Sequence, residues 1–242
     1  MDADGSNLRN LSNNPGDDYA PVWSPDGSRL AFASNRRGNV GLYIMNSDGS
    51  GLKELAESNA SDWGANWAPS GDAIAFVSDR DGNREIYVTN LADSGLVKLT
   101  NNPSDDWFPI WSPNGLRLAF LSDRDGDDDI FVMEVDGSKP VNLTSELPRC
   151  TWLTWSPTDD LIAFISGGDL WIMHVDGSAQ RCLMGDAATE MYPTWSPDGH
   201  SIAFASNPDG GYDIFVIDID RLALTRLTQT NWDDMYPVWS SR

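Results

Sequence analysis

The chain has 242 residues, 40% of them apolar, and its 37 acidic against 16 basic side chains leave a formal charge of −21. That length can bury a sizeable core, while the charge excludes nucleic-acid backbones and anionic membrane surfaces, which both demand clustered cations. No apolar run approaches the roughly 20 residues of a membrane span, and the opening "MDADGSNLRN" carries neither the basic start nor the apolar stretch of a signal peptide, so none is expected.

In chain order, a short strand-like run, "NLRNLS" (7–12), precedes the first Trp-Ser-Pro-Asp-Gly motif at Trp23. An apolar triplet "LAF" (30–32) follows, then a polar Gly-containing turn, "LYIM" (42–45), an Asp-Gly turn and "LKEL" (52–55). The same order restarts at Trp67 (WAPSG) with "IAF", "IYVT" and "VKLT", and at Trp111 (WSPNG) with "LAF", "IFVM" and "VNLT". It restarts again at Trp155 (WSPTD) with "IAF" and "LWIM", and at Trp195 (WSPDG) with "IAF" and "IFVI"; the chain closes on "MYPVWSSR", containing Trp239. The intervals between these tryptophans are 44, 44, 44, 40 and 44 residues. The short interval belongs to the fourth repeat, where "ISGGDLW" replaces the longer turn region seen as "SDRDGNREI" in the second.

Each repeat thus holds four short runs rich in β-branched and aromatic residues, separated by Gly, Pro, Asn and Asp, the pattern of strands joined by hairpins. No segment sustains a 3.6-residue period, so helix is expected to be nearly absent. Four strands per 40–45 residues is the sequence sign of a β-propeller blade. We call the strands a to d: a ends at the motif Trp, b carries the apolar triplet, c is the "IFVM" type and d the "VNLT" type.

The units "YAPVWSPDGSRLAFASN", "FPIWSPNGLRLAFLSDRDGDDDIFVMEVDGS" and "YPTWSPDGHSIAFASNPDGGYDIFVIDID" resemble the repeats of the TolB-like propeller family, also called PD40 or WD40-like repeats, over essentially the whole chain. The resemblance implies a propeller, typically six-bladed, that serves as a protein-interaction platform. In bacteria such propellers occur in the periplasmic Tol system and as the non-catalytic propellers of prolyl-oligopeptidase-type peptidases, so a periplasmic or extracellular setting is implied by the resemblance only. The chain has no room for the α/β domain that accompanies the propeller in either case.

The expected architecture is therefore all-β, a single propeller domain over residues 1–242 with five complete four-stranded repeats and a split, incomplete sixth. In that sixth repeat strand a lies at the C-terminus and strand d at the N-terminus, and roughly 20 residues of strands b and c are missing by comparison with the other intervals. A closed five-bladed ring and a six-bladed ring completed by another chain are the alternatives. Exposed strand edges make self-association possible.

Five residues before the blade tryptophans stand Asp18, Asp62, Asp106, Cys150, Glu190 and Asp234, where the chain enters strand a. The acids of this series are expected to ring the channel mouth and to raise one another's pKa by repulsion unless a cation, Lys or Arg relieves it. Just after them come Tyr19 and the large aromatics Trp63, Trp107, Trp152, Tyr192 and Tyr236, a composition suited to a basic protein or peptide partner. The stretch "LSDRDGDDDIF" (121–131) raises calcium instead, with Asp123, Asp125 and Asp127 as weak candidate ligands and Glu134 at the twelfth position. Asp128 stands where such a loop needs Gly, and Ile130 to Met133 read as strand c, so turn chemistry explains the aspartates better.

Catalysis finds little support. The histidines, His174 and His200, map to the face opposite the acids, which leaves no Ser-His-Asp arrangement. Cys150 has Arg149 beside it, which would lower its pKa, but no His to serve it; Cys182 lies too far across the same blade for a disulfide. The reading is a non-catalytic propeller offering an acidic, aromatic-lined face to a protein or peptide, with no cofactor beyond a possible calcium. A divalent-metal propeller, of metal-assisted hydrolase or lactonase-like type, is the alternative.

Overall fold

The alternating apolar runs form twenty strands in five four-stranded antiparallel sheets, each in the order a-b-c-d, with no helix among the described residues. The computed structural model describes residues 6–185 and 187–240; residues 1–5 of the opening stretch and the last two residues of the closing motif lie outside that range. Blade one comprises β1 (Asp18–Trp23), β2 (Arg29–Ser34), β3 (Gly41–Asn46) and β4 (Lys53–Glu54). Blade two comprises β5 (Asp62–Trp67), β6 (Ala73–Ser78), β7 (Glu85–Asn90) and β8 (Leu96–Lys98). Blade three runs β9 (Asp106–Trp111), β10 (Arg117–Ser122), β11 (Asp129–Glu134) and β12 (Val141–Asn142). Blade four is β13 (Cys150–Trp155), β14 (Leu161–Ser166), β15 (Asp169–His174) and β16 (Arg181–Met184). Blade five is β17 (Glu190–Trp195), β18 (Ser201–Ser206), β19 (Asp213–Asp218) and β20 (Leu224–Arg226). The chain forms two compact units, Met1–Pro109 and Ile110–Arg242.

Local chemistry sets the hairpins. In the first a-b turn Ser24 Oγ accepts the Arg29 N–H at 2.9 Å, Asp26 accepts the Ser28 N–H at 3.0 Å, and Gly27 supplies the required φ of 67°. Across each b-c pair an aromatic from b faces one from c. Phe32–Tyr43, Phe76–Tyr87, Phe120–Phe131 and Phe204–Phe215 stack at 5.6–6.0 Å between centroids.

Adjacent blades within each unit pack by one rule. In the first unit Ala31, Leu42, Ile44 and Ala56 of blade one bury against Trp67, Ile74, Phe76 and Tyr87 of blade two. In the second, Ala163, Ile165, Leu170, Ile172 and Leu183 of blade four meet Trp195, Ile202, Phe204, Phe215 and Ile217 of blade five. The motif tryptophan also donates its indole N–H to the preceding strand a, Trp67 to Val22 O at 3.1 Å and Trp195 to Thr154 O at 3.3 Å. Trp67, Trp111, Trp155 and Trp195 are accordingly 6–8% exposed, as the sequence led us to expect. Trp23 departs from the series at 55% exposed.

Strand a carries a bulge. One extra residue interrupts its pairing between Tyr19 and Val22, Trp63 and Asn66, Thr151 and Thr154, and Met191 and Thr194. The residue after the break has positive φ: Ala20, Gly64, Phe108, Trp152, Tyr192 and Tyr236 span 49–65°.

The two terminal segments keep repeat positions without strand pairing among the described residues. In the first unit Leu11 packs against the buried cluster of Leu30, Phe32, Tyr43 and Met45, and lies so near Gly49 that a Cβ there would sit 3.2 Å from its carbonyl oxygen. Leu143 of blade three approaches Gly177 of blade four in the same way, so residues 7–12 hold a strand-d place. In the second unit Asp234 N–H donates to Tyr212 O at 2.7 Å, as Glu190 N–H does to Gly168 O at 2.8 Å. Trp239 donates to Thr194 O at 3.1 Å, which puts residues 234–239 in a strand-a place.

Candidate functional site

In blades one and two the acid that opens strand a is held by an arginine of its own blade. In the first unit Asp18 and Asp62 head β1 and β5, each opposite the serine that ends strand b (Ser34, Ser78). Two residues beyond that serine an arginine returns: Arg36 Nη2 lies 3.0 Å from Asp18 and Arg80 Nη2 3.0 Å from Asp62. The same arginines donate Nε–H to the serine Oγ at 2.9 and 2.8 Å and lie over Tyr43 and Tyr87 at 4.5 and 4.8 Å. In the second unit Arg124 repeats the contacts with Ser122, at 2.9 Å, and with Phe131, at 4.5 Å. Burial works to raise the Asp18 pKa, yet hydrogen bonds from Ser12, Ser34 and Arg36 outweigh it and hold the carboxyl below its usual value. Mutual repulsion therefore does not govern Asp18.

Asp106 is fully buried and accepts Asn102 Nδ2–H at 2.6 Å. Blades four and five depart from the arrangement, with Gly168 and Pro208 at the arginine position. Blade four has Cys150 in place of the acid; blade five keeps Glu190, buried, accepting Ser206 Oγ–H at 2.8 Å. Asp234 accepts Thr230 Oγ1–H at 3.1 Å.

The residues of the calcium-like stretch make separate contacts. Its first position is a strut: Asn35, Asp79 and Asn207 accept the backbone N–H of Asp17, Ser61 and Thr189 at 2.7–2.8 Å, and Asp123 is their counterpart. Its third position pairs with strand d. Asp81 meets Lys98 at 2.8 Å, Asp209 meets Arg226 at 2.7 Å, Arg37 meets Glu54 with the signs reversed, and Asp125 accepts from Asn142 at 2.8 Å. Asp127 is exposed and Asp128 pairs with Arg149. Asp129 heads β11, buried, accepting from Asn142 and from Thr144 at 2.8 Å each. Two carboxylates here share one neutral amide where blades two and five place a cation.

The aromatics form two sets rather than one. Trp63 and Trp107 stand at the second residue of strand a and are half-buried in the first unit, with Arg84 5.8 Å from the Trp63 ring. Trp152, Tyr192 and Tyr236 stand at the third residue, on the bulge. These three touch: Trp152 and Tyr192 centroids are 4.4 Å apart, Tyr192 and Tyr236 4.0 Å, and Tyr192 OH donates to Tyr236 OH at 3.0 Å. Burial and that hydrogen bond push the Tyr192 pKa up to about 12. Tyr236 remains largely exposed and Trp152 and Tyr192 half-buried, which leaves a contiguous aromatic surface.

Cys150 is not an activated thiol. Burial lifts its pKa to about 11, and Arg149, which the sequence placed beside it, turns to Asp128. His200 Nδ1 lies 3.8 Å from Asp220 in the a-b turn region, away from either cysteine in sequence and blade position.

A family model described as the TolB β-propeller domain matches residues 2–91 and 80–184, well over half the chain. The chain belongs to the TolB β-propeller family. Among solved structures it resembles TolB from Acinetobacter baumannii at 19% identity and a TM-score of 0.75, over 97% of this chain and 60% of that one. A putative TolB from Agrobacterium tumefaciens matches at 25% identity and 0.73, over 91% of this chain and 83% of that one. An oligogalacturonate lyase in complex with manganese matches at 17% and 0.71, over 87% of this chain and 64% of the lyase. The chain thus spans about 60% of the length of the Acinetobacter TolB. No curated protein sequence matches it.

Proposed function

We propose that this TolB-family propeller chain is a binding scaffold without chemistry of its own, and that it takes an extended, basic protein or peptide segment on the aromatic surface of Trp152, Tyr192 and Tyr236. The observation that carries this reading is the backbone beneath those rings. The bulge needs positive φ, which blade two meets with Gly64, without strain. Trp152, Tyr192 and Tyr236 adopt the same φ at a cost of roughly 1–2 kcal/mol each. Their mutual contacts offset part of that cost, but Tyr236 offers most of its ring to solvent rather than to the core. Aromatic rings held rigid and half-exposed are the composition of binding hot spots, and a chain of charge −21 attracts basic partners over neutral ones.

Tyr236→Gly tests the reading. It relieves backbone strain while removing an exposed ring, so stability should stay within about 1 kcal/mol of the parent. Affinity for Arg- and aromatic-containing peptides should fall about tenfold or more. The manganese-bound lyase among the similar folds makes manganese, with calcium, the ion to titrate beside the peptides. Ion binding abolished by Asp125→Asn, with no peptide binding, would favour a metal-dependent role instead.

A further inference from the structure

We propose that the groove between blades three and four, beside the c-d turn of blade four, takes an arginine side chain presented by another polypeptide. The other two blade junctions that lie within one unit show what belongs there. From strand d of blade one, Lys53 Nζ crosses to Ser94 Oγ in the c-d turn of blade two at 3.1 Å. From strand d of blade four, Arg181 Nη2 donates to Ile219 O, in the c-d turn of blade five, at 2.9 Å. Blade three has Val141 at this position, paired with Val132 as Arg181 pairs with Ile172 and Lys53 with Ile44. Valine is too short to cross and has no side-chain donor. A groove of about 280 Å³ opens beside it.

The two blades are otherwise closely joined at this point. Gly177 of blade four sits so near Leu143 of blade three that a Cβ would lie 3.3 Å from it, and Gln180 Nε2 donates to Leu143 O at 2.7 Å. The opening is therefore local to the missing cation, not a parting of the blades. Its walls suit an alkyl stem, with Val132 and Leu143 buried and Val141 54% exposed. Val175, which also lines it, holds the position of Ile219, whose carbonyl accepts from Arg181. The charges at the rim are unevenly matched. Arg117 lies 5.3 Å over the Trp155 ring and 3.9 Å from Asp159, and Lys139 lies 3.5 Å from Glu134. Asp176 is exposed and has no lysine or arginine in ion-pair contact among the described residues. It accepts the Ser178 N–H at 2.9 Å, and His174 is the basic group near it. An incoming guanidinium finds apolar walls for its stem, the carbonyl position that Arg181 uses and a carboxylate not yet engaged by Lys or Arg. Its planar fork can serve both acceptors at once, which favours arginine over lysine. The groove shares no residue with the surface of Trp152, Tyr192 and Tyr236, so it is a second contact rather than a refinement of the first.

Titration of the full chain with acetyl-Ala-Arg-Ala-amide, followed by amide chemical shifts, is the test. The shifts of Val141, Val175 and Asp176 should saturate together. The norleucine counterpart of the peptide lacks the charged hydrogen bonds and should bind about tenfold more weakly or worse. Asp176→Asn keeps an acceptor for the Ser178 N–H but removes the charge, and should weaken binding about two- to fivefold. Val141→Arg should abolish binding by filling the groove from within, as Arg181 does at its own junction. Its thermal midpoint should not fall, because position 141 is exposed. Tyr236→Gly should leave the response unchanged. Absence of saturable shifts at these amides would overturn the proposal, as would equal binding of the norleucine peptide. Binding that survives Val141→Arg, or that is lost with Tyr236→Gly, would overturn it too.

Discussion

Arg80→Met is the substitution that most directly probes how the buried acids are held. Asp62 is 2% exposed at its side chain, and Arg80 reaches both its carboxylate oxygens, at 3.0 and 3.2 Å. Met keeps an apolar stem over Tyr87 but leaves the carboxylate with the Ser58 Oγ–H at 3.2 Å. Stranding a buried charge costs about 3–5 kcal/mol, and the surviving hydrogen bond places this case near 3. Asp62→Cys added to Arg80→Met should recover most of that loss, since blade four has Cys150 in the acid's place and Gly168 in the arginine's. Urea unfolding followed by tryptophan fluorescence reads both variants. A cost below about 1 kcal/mol for the single variant, or no recovery in the double, would refute electrostatic neutralisation within the blade.

Trp195→Ala should cost about 3–5 kcal/mol and Trp23→Ala under about 1, because one indole is 7% and the other 55% exposed; equal costs in urea unfolding would contradict the packing rule. Hydrogen bonds from Ser24 and Ser28 hold Asp26 at a pKa of about 2, against an unfolded value near 3.9. The folded state therefore gains from that carboxylate above pH 4 and loses the gain as pH falls toward 2, so the stability difference between parent and Asp26→Asn should vanish over that window. A pH-independent difference would exclude titration as its source. Asn142→Lys, copying Lys98, should raise stability by about 0.5–1 kcal/mol by giving Asp125 and Asp129 the cation that blades two and five provide; a lowered thermal midpoint would show that the amide's own bonds matter more.

Most of the fold was legible because strand period and Trp spacing repeat: each strand a ends on its motif tryptophan and each triplet falls inside strand b. The pairing of the strand-a acids was also present in the sequence, though not in the acids themselves. Arg36 and Arg80 each follow their acid by 18 residues, and blade four lacks both members at once. The aromatics were harder to place, because Trp63 and Trp107 precede the bulge whereas Trp152, Tyr192 and Tyr236 sit on it, and one residue of offset changes a side chain's direction. The aspartates of "LSDRDGDDDIF" gave no sign that Asp129 faces strand d while Asp128 turns to Arg149, since those partners lie 13 to 21 residues away.

The central claim is that the aromatic surface of the second unit binds a basic segment. Titration of the chain with otherwise identical arginine-, glutamine- and glutamate-bearing peptides, each also containing one aromatic residue, addresses it in one experiment. Tryptophan fluorescence should respond to the arginine peptide first, the affinity should weaken with added salt, and Tyr236→Gly should weaken it about tenfold or more while stability stays within about 1 kcal/mol of the parent. Equal affinity for all three peptides, or binding indifferent to Tyr236→Gly and Trp152→Ala, would contradict it.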